Sequence, residues 1–561
     1  MADESKLPTV FRKKLPENLE KIRNGHYTPE DYDYPIYNYL KPNDLRVDEN
    51  GSEVVEFLRG KNILVTGGTG FLGKLLIEKL LRCCKDIGTV YIIIRTKKGK
   101  SMEERINEFL DNWAFVKLSE IYPDYRKKLV GLSGDIAEPG LGLSEESKKL
   151  IMDRVNIIYH AAATVRFDEK LKTAVNINIK GTKEALELAK KCKKFDVFTY
   201  VGTAYSNCLE NIIEEAVYEP YMDPDVLINL TDTLSEDILD KITPGILGNL
   251  PNTYTFTKQI SESIVRKESS KIPICIHRPA IVVASVREPV KSWCDNIYGI
   301  VGMMIGISLG LIHVAPGAPH SPVDFVPADY VVNNCIAASY KTAKDRLSDA
   351  QIFNYTTHKG NRIKWINLYL ANKQGWKVGS SYIIYRNFSA PIKNKCFHKS
   401  LQFLLHTLIG QAADVAAKLI GKKPKLGRIY KKINNGLQSV SFFSLGEFRF
   451  SYGNTTALWE SLNEKDKTIF PFDMKTLDWE DYFSTYLVAL RELLVHENLD
   501  NLDAGRKHYN RIRWIHNCLL STLIGVSLYF CINTIFFFIP LGLICLTIFF
   551  GYYEFTYTNA L

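Results

Sequence analysis

The sequence lacks several features that would place it in common classes of protein. None of its 11 cysteines forms a Cys-x-x-Cys pair, and the adjacent Cys83 and Cys84 fall in a predicted helix where they cannot easily bridge. A reducing compartment is therefore expected. The first ten residues, MADESKLPTV, contain no apolar leader, so secretion is not expected. A net charge of +9 over 561 residues falls far short of a nucleic-acid-binding footprint, so no nucleic-acid partner is expected.

Charge is entirely missing from one long stretch near the end of the chain. Residues 518–551 contain no Asp, Glu, Lys or Arg, and about 20 apolar residues suffice for a helix to cross a bilayer. We predict a membrane segment at 514–553, either a tilted span or a hairpin broken near Pro540. Cations precede the segment at Arg506, Lys507, Arg511 and Arg513, and the positive-inside rule then places the catalytic domain on the cytosolic side. An endoplasmic reticulum or peroxisome membrane is expected, with the lipid bilayer as a partner.

The rest of the chain contains the alternation of a parallel α/β fold. From residue 61, short runs rich in Val and Ile alternate with helical stretches, which predicts a doubly wound parallel sheet of Rossmann type. The predicted strands are 62–66, 89–95, 129–134, 155–160, 196–202 and 272–278. The predicted helices lie near 71–83, 101–112, 172–192 and 254–269.

Changes in pattern divide the chain into regions. We predict an extended arm at 1–57, a nucleotide-binding catalytic domain at 58–350 and a smaller, mostly helical domain at 355–505. Within the second region, residues 209–250 hold ten Asp or Glu and one Lys. This insert is either a lid over the site or a solvated surface excursion.

A glycine-rich turn follows the first predicted strand. In TGGTGFLG, the glycines Gly67, Gly70 and Gly73 are three residues apart, after a strand and at the start of a helix. That context is typical of dinucleotide binding, where the turn approaches the pyrophosphate and the helix N-terminus faces the phosphates. The alternative is a purely structural turn.

The end of the second strand indicates which dinucleotide binds. A carboxylate there accepts from a ribose hydroxyl, whereas a cation accommodates a 2′-phosphate. This strand ends in Arg95, followed by Thr96, Lys97 and Lys98, with no acid nearby. The pattern favours NADPH, the alternative being a solvated run of charge.

Further cofactor contacts are expected at the ends of the next strands. Asp135 can accept from the adenine amine while Ile136 packs on the ring, and the small residues after His160 leave room for the cofactor. His160 itself is interpreted as a core histidine. The predicted cofactor-binding residues are Thr66, Gly67, Gly70, Phe71, Leu72, Gly73, Arg95, Lys97, Asp135, Ile136, Ala161 and Lys258.

The chemistry is predicted to centre on YTFTK. Tyr254 and Lys258 are one helical turn apart, so the lysine charge can lower the phenol pKa and help it donate to a carbonyl oxygen. The third catalytic residue is predicted to be Thr203, after the fifth strand, with Tyr205 and Ser206 as alternatives. These donors would stabilise an oxyanion during hydride attack. Cys208 has no flanking base and is interpreted as a buried structural thiol.

These motifs together resemble the alcohol-forming fatty acyl-CoA reductases, a branch of the extended short-chain dehydrogenase/reductases. The resemblance rests on TGGTGFLGKLLIEKLLR, GDIAEPGLGLS, TAYSNC, YTFTK and HRPAIVVASVREPVKSWCDNIYG, and on FPFDMKTLDWEDYFSTYLVALRELL in the helical region. It covers about residues 55–510. Two positions depart from the family pattern, which has Ser at Gly202 and Trp at Phe448; the first places more weight on Thr203.

The resemblance implies that the protein reduces long-chain acyl-CoA to a primary alcohol, using two NADPH and no metal. Two other hypotheses for the function stay open. One is an extended reductase acting on another lipid carbonyl such as a sterol, against which FPFDMKTLDW argues. The other is a membrane-bound NADPH-binding scaffold without activity, for which Tyr254 and Lys258 would be unnecessary. Acyl chain length and oligomeric state are left open.

Overall fold

The computed structural model describes residues 46–96, 99–373, 380–497, 501–533 and 544–551. Most of the predicted arm, Lys97, and part of the predicted membrane segment lie outside these residues. The chain divides into two compact units. The first comprises Met1–Asn296, Asp324–Arg362 and Glu447–Ala489, and the second comprises Ile297–Val323, Ile363–Gly446 and Leu490–Leu561.

The first unit is built around a seven-stranded parallel sheet. Its strands are β1 (Ile63–Thr66), β2 (Val90–Ile94), β3 (Leu129–Ser133), β4 (Ile157–His160), β5 (Val197–Val201), β6 (Ile274–Pro279) and β11 (Gln351–Tyr355). The short strands elsewhere are β7 (Ile281–Val283), β8 (Val314–Pro316), β9 (Pro322–Val323), β10 (Phe325–Pro327), β12 (Ile363–Lys364) and β13 (Ala390–Ile392). The Val and Ile runs of β1 and β2 are fully buried, as a sheet covered on both faces requires.

The strand order is β11-β6-β5-β4-β1-β2-β3, so the order reverses between β1 and β4. The two strands pair in register, with Thr66 opposite His160. Ligands of doubly wound sheets bind in the crevice at this switch point, outside the carboxyl ends of the strands. The predicted Rossmann-type sheet is thus confirmed, and its crevice lies at Gly67 and Ala161.

The α-helices, numbered in chain order, connect and cover these strands. They are α1 (Glu53–Leu58), α2 (Phe71–Cys83), α3 (Met102–Leu110), α4 (Val116–Ile121), α5 (Glu145–Arg154), α6 (Leu171–Ala174), α7 (Gly181–Lys190), α8 (Pro224–Thr233), α9 (Glu236–Leu247), α10 (Thr253–Lys267), α11 (Ile300–Ser308), α12 (Ala328–Asp345), α13 (Trp365–Lys373), α14 (Lys395–Gln402), α15 (Ile409–Leu419), α16 (Leu426–Leu445), α17 (Gly453–Ser461), α18 (Glu464–Ile469), α19 (Trp479–Leu493) and α20 (Leu502–Asn533). Two π-helical segments, Val175–Lys180 and Phe403–Leu408, continue α6 and α14.

The end of the predicted extended arm is helical. Ser52 caps α1 and donates to a carboxylate oxygen of Asp466 at 2.5 Å, while the backbone N–H of Val54 donates to the same oxygen at 3.2 Å. Val54, Val55 and Leu58 are buried. The arm prediction was wrong for residues 53–57, because the acid that completes this cap lies more than 400 positions away in sequence.

The insert at 209–250 folds mainly into α8 and α9. Helix α8 contacts α10 and the π-helical segment Val175–Lys180, and α9 contacts α6. Three lysines outside the insert pair with its acids: Lys170 with Glu236, Lys180 with Asp232 and Lys183 with Asp225. The acidic insert is therefore fastened beside the helix that carries Tyr254.

The linear boundaries predicted at 350 and 355 differ from the division of the structure. Residues 351–355 form β11, which pairs with β6 at the edge of the main sheet, and residues 447–489 also belong to the first unit. Both units are therefore assembled from segments that are not contiguous in sequence.

The second unit is mostly helical. Two short sheets, β8 with β13 and β9 with β12, accompany α11, α13–α16 and α20. At its centre the backbone N–H of His313 donates to Nε2 of His406 at 3.0 Å, and both histidines are buried. Among the described residues, no helix combines the length and the apolar character needed to cross a membrane.

Candidate active site

The turn between β1 and α2 is closely packed. Gly67 has φ +71°, and a Cβ there would lie 2.6 Å from the backbone nitrogen of Ala162. A Cβ on Gly73 would lie 2.3 Å from the carbonyl oxygen of Gly67. Phe71 and Leu72 form the first turn of α2, for which Gly70 is the N-cap without a side-chain cap. The first N–H groups of a helix have no partner within the helix, and with the close-packed glycines of this turn they are compatible with a bound pyrophosphate.

The ends of β2 and β3 bring Arg95 and Asp135 together. The Arg95 side chain is 63% exposed, and its Nε lies 3.2 Å from a carboxylate oxygen of Asp135. The other oxygen of Asp135 accepts from the N–H of Ala137 at 3.0 Å, and Ile136 is buried. An exposed cation and a partly buried carboxylate therefore lie together at the carboxyl ends of β2 and β3. Lys97 falls outside the described residues.

Thr66, His160 and Thr182 form a buried hydrogen-bonded chain beneath the crevice. Thr182 donates to the carbonyl of Asn178 at 2.6 Å, so Nε2 of His160 donates to Thr182 at 3.0 Å and Nδ1 accepts from Thr66 at 2.9 Å. Burial, with a smaller contribution from Lys258, lowers the pKa of His160 to about 3. His160 is thus a neutral core histidine, as the sequence indicated. The N–H of Ala161 donates to the Thr66 carbonyl at 3.1 Å, which fixes the small residue at the crevice.

Tyr254 and Thr203 meet at the carboxyl end of β5. Tyr254 lies in the first turn of α10, whose cap is Asn252 accepting from the N–H of Thr255 at 2.9 Å. Burial raises the pKa of Tyr254 to about 12, whereas a hydrogen bond with the Thr203 side chain acts in the opposite direction. Thr203 is itself buried in the turn that follows β5. The phenol and the hydroxyl therefore lie within hydrogen-bonding distance of each other.

Lys258 is buried one turn beyond Tyr254, but its charge is directed elsewhere. Its Nζ donates to the carbonyl of Val201 at 2.7 Å and lies 4.6 Å from the centroid of the Tyr200 ring. Burial lowers the pKa of Lys258 to about 8, and the charge of Glu262 opposes this shift. The expected lowering of the Tyr254 pKa is not observed in this structure, because burial of the phenol raises the pKa and the charge of Glu262 adds to that rise.

The structure separates Thr203 from the two alternative hydroxyls. Tyr205 packs edge-on against Phe448 and Phe450, with ring centroids 5.1 and 5.4 Å away. Ser206 is fully buried and bonds the Thr203 carbonyl at 2.9 Å and Glu262 at 3.0 Å. Burial also raises the pKa of the Cys208 thiol to about 12, which keeps it neutral. The side chain of Thr203 is hydrogen-bonded to the phenol of Tyr254.

A buried ion pair beneath the site was missed by the sequence analysis. Glu262 follows Lys258 by one more turn of α10, and its carboxylate accepts from Nη2 of Arg278 at 2.7 Å and from Nε at 3.1 Å. Arg278 also donates to the carbonyls of Glu214 and Ala216 in the insert, at 3.0 and 2.9 Å. The i+4 and i+8 spacing from Lys258 and Tyr254 is the signal that places Glu262 on their face of the helix.

The same carboxylate explains why position 202 is a glycine. A Cβ on Gly202 would lie 2.7 Å from Oε1 of Glu262 and 3.3 Å from the Tyr200 ring. The serine expected from the family pattern would need this carboxylate to shift, although Arg278 holds it. The glycine that this chain has in place of the family's serine at position 202 therefore leaves the space that the Glu262 carboxylate occupies.

Asn178 is a second residue that the sequence analysis did not identify. It lies in the π-helical segment Val175–Lys180, and such irregularities occur often at functional sites. Its side-chain amide donates to Thr257 at 2.9 Å and its side-chain oxygen accepts from the N–H of Thr164 at 2.9 Å. The residue fastens the chain after β4 to the helix of Tyr254 and Lys258.

We call the close-packed turn at Gly67, Gly70 and Gly73 the glycine cradle. It lies at the switch point of a parallel sheet that also carries a Tyr-x-x-x-Lys helix and a threonine. This combination defines a nicotinamide-dependent oxidoreductase of the short-chain type. Two protein-family models described as male sterility protein match the chain. The NAD-binding family matches residues 65–335, and the Sterile family matches residues 405–497. The chain belongs to the fatty acyl-CoA reductase family.

Relatives align over nearly the whole chain. The chain is 37% identical over 513 residues to "Fatty acyl-CoA reductase wat" of Drosophila melanogaster, covering 91% of this chain and 97% of that one. It is 33% identical over 488 residues to "Fatty acyl-CoA reductase 1" of Homo sapiens, covering 84% and 92%. Both alignments are too long to reflect a shared nucleotide-binding domain alone.

Solved structures share the fold at lower identity. The terminal R domain from the myxalamid PKS-NRPS pathway has a TM-score of 0.53 and 19% identity, covering 77% of this chain and 91% of that one. The reductase (R) domain of a non-ribosomal peptide synthetase from Mycobacterium tuberculosis has a TM-score of 0.51 and 20% identity, covering 81% and 98%. These similarities extend beyond the sheet and establish the fold.

Proposed function

We propose that this protein is an NADPH-dependent fatty acyl-CoA reductase that converts long-chain acyl-CoA to a primary alcohol. One observation carries the proposal: a phenol, a threonine hydroxyl and a buried lysine converge beside a nucleotide cradle, in a chain whose relatives are named for acyl-CoA reduction. The match at residues 405–497 favours this reaction over reduction of a sterol or another lipid carbonyl.

Thr203 and Tyr254 are proposed to hold the thioester oxygen. Two NADPH molecules, bound one after the other at the glycine turn, would each supply one hydride to the same carbon. In the first reduction, the two hydroxyls donate to the oxyanion of the hemithioacetal, which then collapses to the aldehyde and releases coenzyme A thiolate. A thiol pKa near ~8.5 makes that leaving group good enough to need little acid help.

In the second reduction the aldehyde oxygen occupies the same position. Tyr254 gives its proton to the alkoxide and is reprotonated from solvent. Its pKa of about 12 keeps the phenol protonated until that step. The overall change consumes two NADPH and two protons for each acyl chain and releases coenzyme A. The proposed reaction requires no covalent intermediate with a side chain.

The preference for NADPH is proposed from the end of β2. Arg95 is exposed and faces the crevice edge where a 2′-phosphate would sit, and its partner Asp135 can turn to the adenine amine. A guanidinium suits a phosphate because it donates in a planar, forked geometry. Lys97 is proposed as a second cation near the same phosphate.

Attachment to a membrane is proposed from the C-terminal sequence. The run at 518–551 is uncharged, and four cations precede it between Arg506 and Arg513. We place this anchor in the endoplasmic reticulum or peroxisome membrane, with the catalytic unit on the cytosolic side. Anchoring would keep the site near substrates whose long acyl chains partition into bilayers.

The test is incubation of membranes containing the full chain with acyl-CoA of several lengths, in the presence of NADPH or NADH. We expect a primary alcohol to form with long chains and NADPH, as followed by gas chromatography. Loss of the product in Tyr254→Phe, with Tyr382→Phe as the matched control, would tie it to this site; Tyr382 is exposed and lies in the second unit. Alcohol formation at the wild-type rate by Tyr254→Phe would overturn the mechanism.

A further inference from the structure

The second unit carries a helical hairpin that is unusually exposed. It consists of α15, the following connection and the first two turns of α16, and we call residues 409–432 the cationic hairpin. No residue from 411 to 429 is buried, whereas Gly410 and Tyr430 at its base are. A segment of this length without a buried side chain contributes little to the core of its own unit.

Large apolar side chains lie at the far end of the cationic hairpin. Leu419 and Ile420, at the turn, are 83% and 68% exposed, and Val415 one turn earlier on α15 is 57% exposed. Single exposed apolar residues are ordinary, but three grouped at one protruding tip are a typical sign of an interaction site.

The tip is nevertheless a well-defined structure. Asp414 accepts backbone N–H groups from Lys425, Leu426 and Gly427 at 2.8 to 3.1 Å, and so caps α16. Gly421 ends α15 with φ +71°, as a left-handed C-cap. These contacts hold Leu419 and Ile420 outward instead of letting them fold back.

The base of the cationic hairpin is fixed as well. The two helices approach closely where a Cβ on Gly410 would lie 2.7 Å from the Tyr430 ring. That ring stacks on His406 at 5.2 Å, and His406 bonds Asn434 at 3.0 Å. The hairpin is therefore a rigid projection whose end presents apolar side chains.

Exposed cations are frequent along the whole cationic hairpin. Between residues 411 and 432 there are seven Lys or Arg and one acid, Asp414, which is committed to the backbone N–H groups of the turn. All seven cations are exposed: Lys418, Lys422, Lys423, Lys425, Arg428, Lys431 and Lys432. An exposed apolar tip on a basic helical hairpin is the pattern of elements that enter the interface of a bilayer containing anionic lipids.

We propose that the cationic hairpin is a second membrane contact, inserting Leu419 and Ile420 between the headgroups of an anionic bilayer. It is separate in sequence from the uncharged run at 518–551. A soluble phosphate compound would use the cations but not the exposed leucine and isoleucine. A second copy of the chain would bring seven more cations against the first seven, which like-charge repulsion opposes.

The test uses the full chain in lipid nanodiscs, so that the C-terminal segment is embedded in every sample. Hydrogen exchange of residues 411–429 is compared between phosphatidylcholine discs and discs with 30% phosphatidylserine. We expect exchange in this segment to slow at least about fivefold on the anionic discs. One lysine near an anionic surface strengthens binding by about 1 kcal/mol, which corresponds to about that factor. The readout needs no acyl-CoA reduction, so it is independent of the proposed activity.

Two variants separate the parts of the surface. Leu419→Ser with Ile420→Ser, and Lys422→Gln with Lys423→Gln and Lys425→Gln, should each abolish the difference between discs. Matched controls are Leu347→Ser, at a residue 57% exposed in the first unit, and Lys127→Gln, with a side chain 77% exposed. Both controls should keep the wild-type difference.

Three results would overturn the proposal. Equal exchange on the two kinds of disc would exclude an anionic surface as the partner. Equal protection in detergent alone would show that another segment or copy of the chain covers the tip. Protection by coenzyme A without lipid would instead assign the cations to a phosphate ligand.

Discussion

Two side chains in the site have pKa values shifted in opposite directions, and their roles follow from this. Burial raises the pKa of Tyr254 to about 12 and lowers that of Lys258 to about 8. Near pH 7 the phenol is therefore a proton donor, while the lysine is still mostly charged. The charge of Lys258 is the part of the site most sensitive to a modest rise in pH.

Catalysis should therefore decline on the alkaline side of neutrality. Because Lys258 is protonated below its pKa, its charge is present at pH 7 and is lost as the pH rises through about 8. We expect kcat/KM for acyl-CoA to fall about tenfold per pH unit above that value, as the loss of one required proton predicts. The pH profile of the free enzyme measures this directly, and a flat profile from pH 7 to 9.5 would contradict it.

Glu262 should set the position of this alkaline limb. Its negative charge raises the pKa of Lys258, so Glu262→Gln should move the limb to a pH below 8. Removing one partner of a buried ion pair costs about 3–5 kcal/mol of stability, so melting is measured alongside. The control is Glu236→Gln in the insert, whose side chain is 56% exposed. Lower activity with an unmoved limb would reduce Glu262 to a structural role.

Arg95 should decide between the two nicotinamide cofactors. Arg95→Ser removes the only described cation at the end of β2, so the KM for NADPH should rise about tenfold or more. The KM for NADH should change little, because NADH has no 2′-phosphate. Arg166→Ser, on an exposed loop, is the control. An unchanged KM for NADPH would reject the assignment of Arg95.

At this scale the sequence identified residue types better than contacts. Tyr254 and Thr203 meet as the motif predicted, since each is fixed locally by a helix turn or by the end of a strand. The direction of the Lys258 ammonium depends on the carbonyl of Val201, to which it donates. The position of the Glu262 carboxylate depends on Arg278, with which it pairs. Those partners are distant in sequence, and no local pattern specifies them.

At the scale of the element, the β1 turn and α2 act as one rigid unit. The close contact between Gly73 and Gly67 fixes how the helix end approaches the crevice, because backbone atoms lie on both sides of the contact. Small residues are needed here for space, whatever ligand the turn holds.

Gly73→Ala should open this turn. The added methyl group would lie 2.3 Å from the Gly67 carbonyl oxygen, and such overpacking costs about 1–3 kcal/mol. Cofactor affinity, measured by fluorescence titration, should fall by a factor of about ten or more. Gly245→Ala in α9 is the control, since a Cβ there meets nothing within 4 Å. Retained affinity in Gly73→Ala would contradict the cradle.

Six of the sheet strands agreed with their predicted positions to within two residues. Parallel strands are buried on both faces, so their sequences are short runs rich in Val and Ile that a local pattern detects. Strand β11 and helix α1 were missed for a common reason. The strand QIFNY is short and partly polar, and it is defined by pairing with β6. Helix α1 has only six residues and depends on Asp466 for its cap. Tertiary contacts, which the local pattern does not contain, form both elements.

At the scale of the whole molecule, two discontinuous units replace the linear domains that the sequence suggested. Residues 324–362 and 447–489 return to the unit of the parallel sheet, and β11 and Phe448 are part of it. Composition alone cannot detect such a return, because a helical segment looks the same whichever unit it completes. The family match at 405–497 likewise extends over both units.

The proposed reaction requires two hydride transfers to one carbon at one site. The most direct measurement supplies the full chain in membranes with acyl-CoA and NADPH deuterated at the transferred position of C4, and determines the mass of the product. We expect a primary alcohol carrying two deuterium atoms at C1, and none of this product from Tyr254→Phe. An alcohol with one deuterium or none, or the doubly labelled alcohol formed equally well without the Tyr254 hydroxyl, would contradict the proposed reaction.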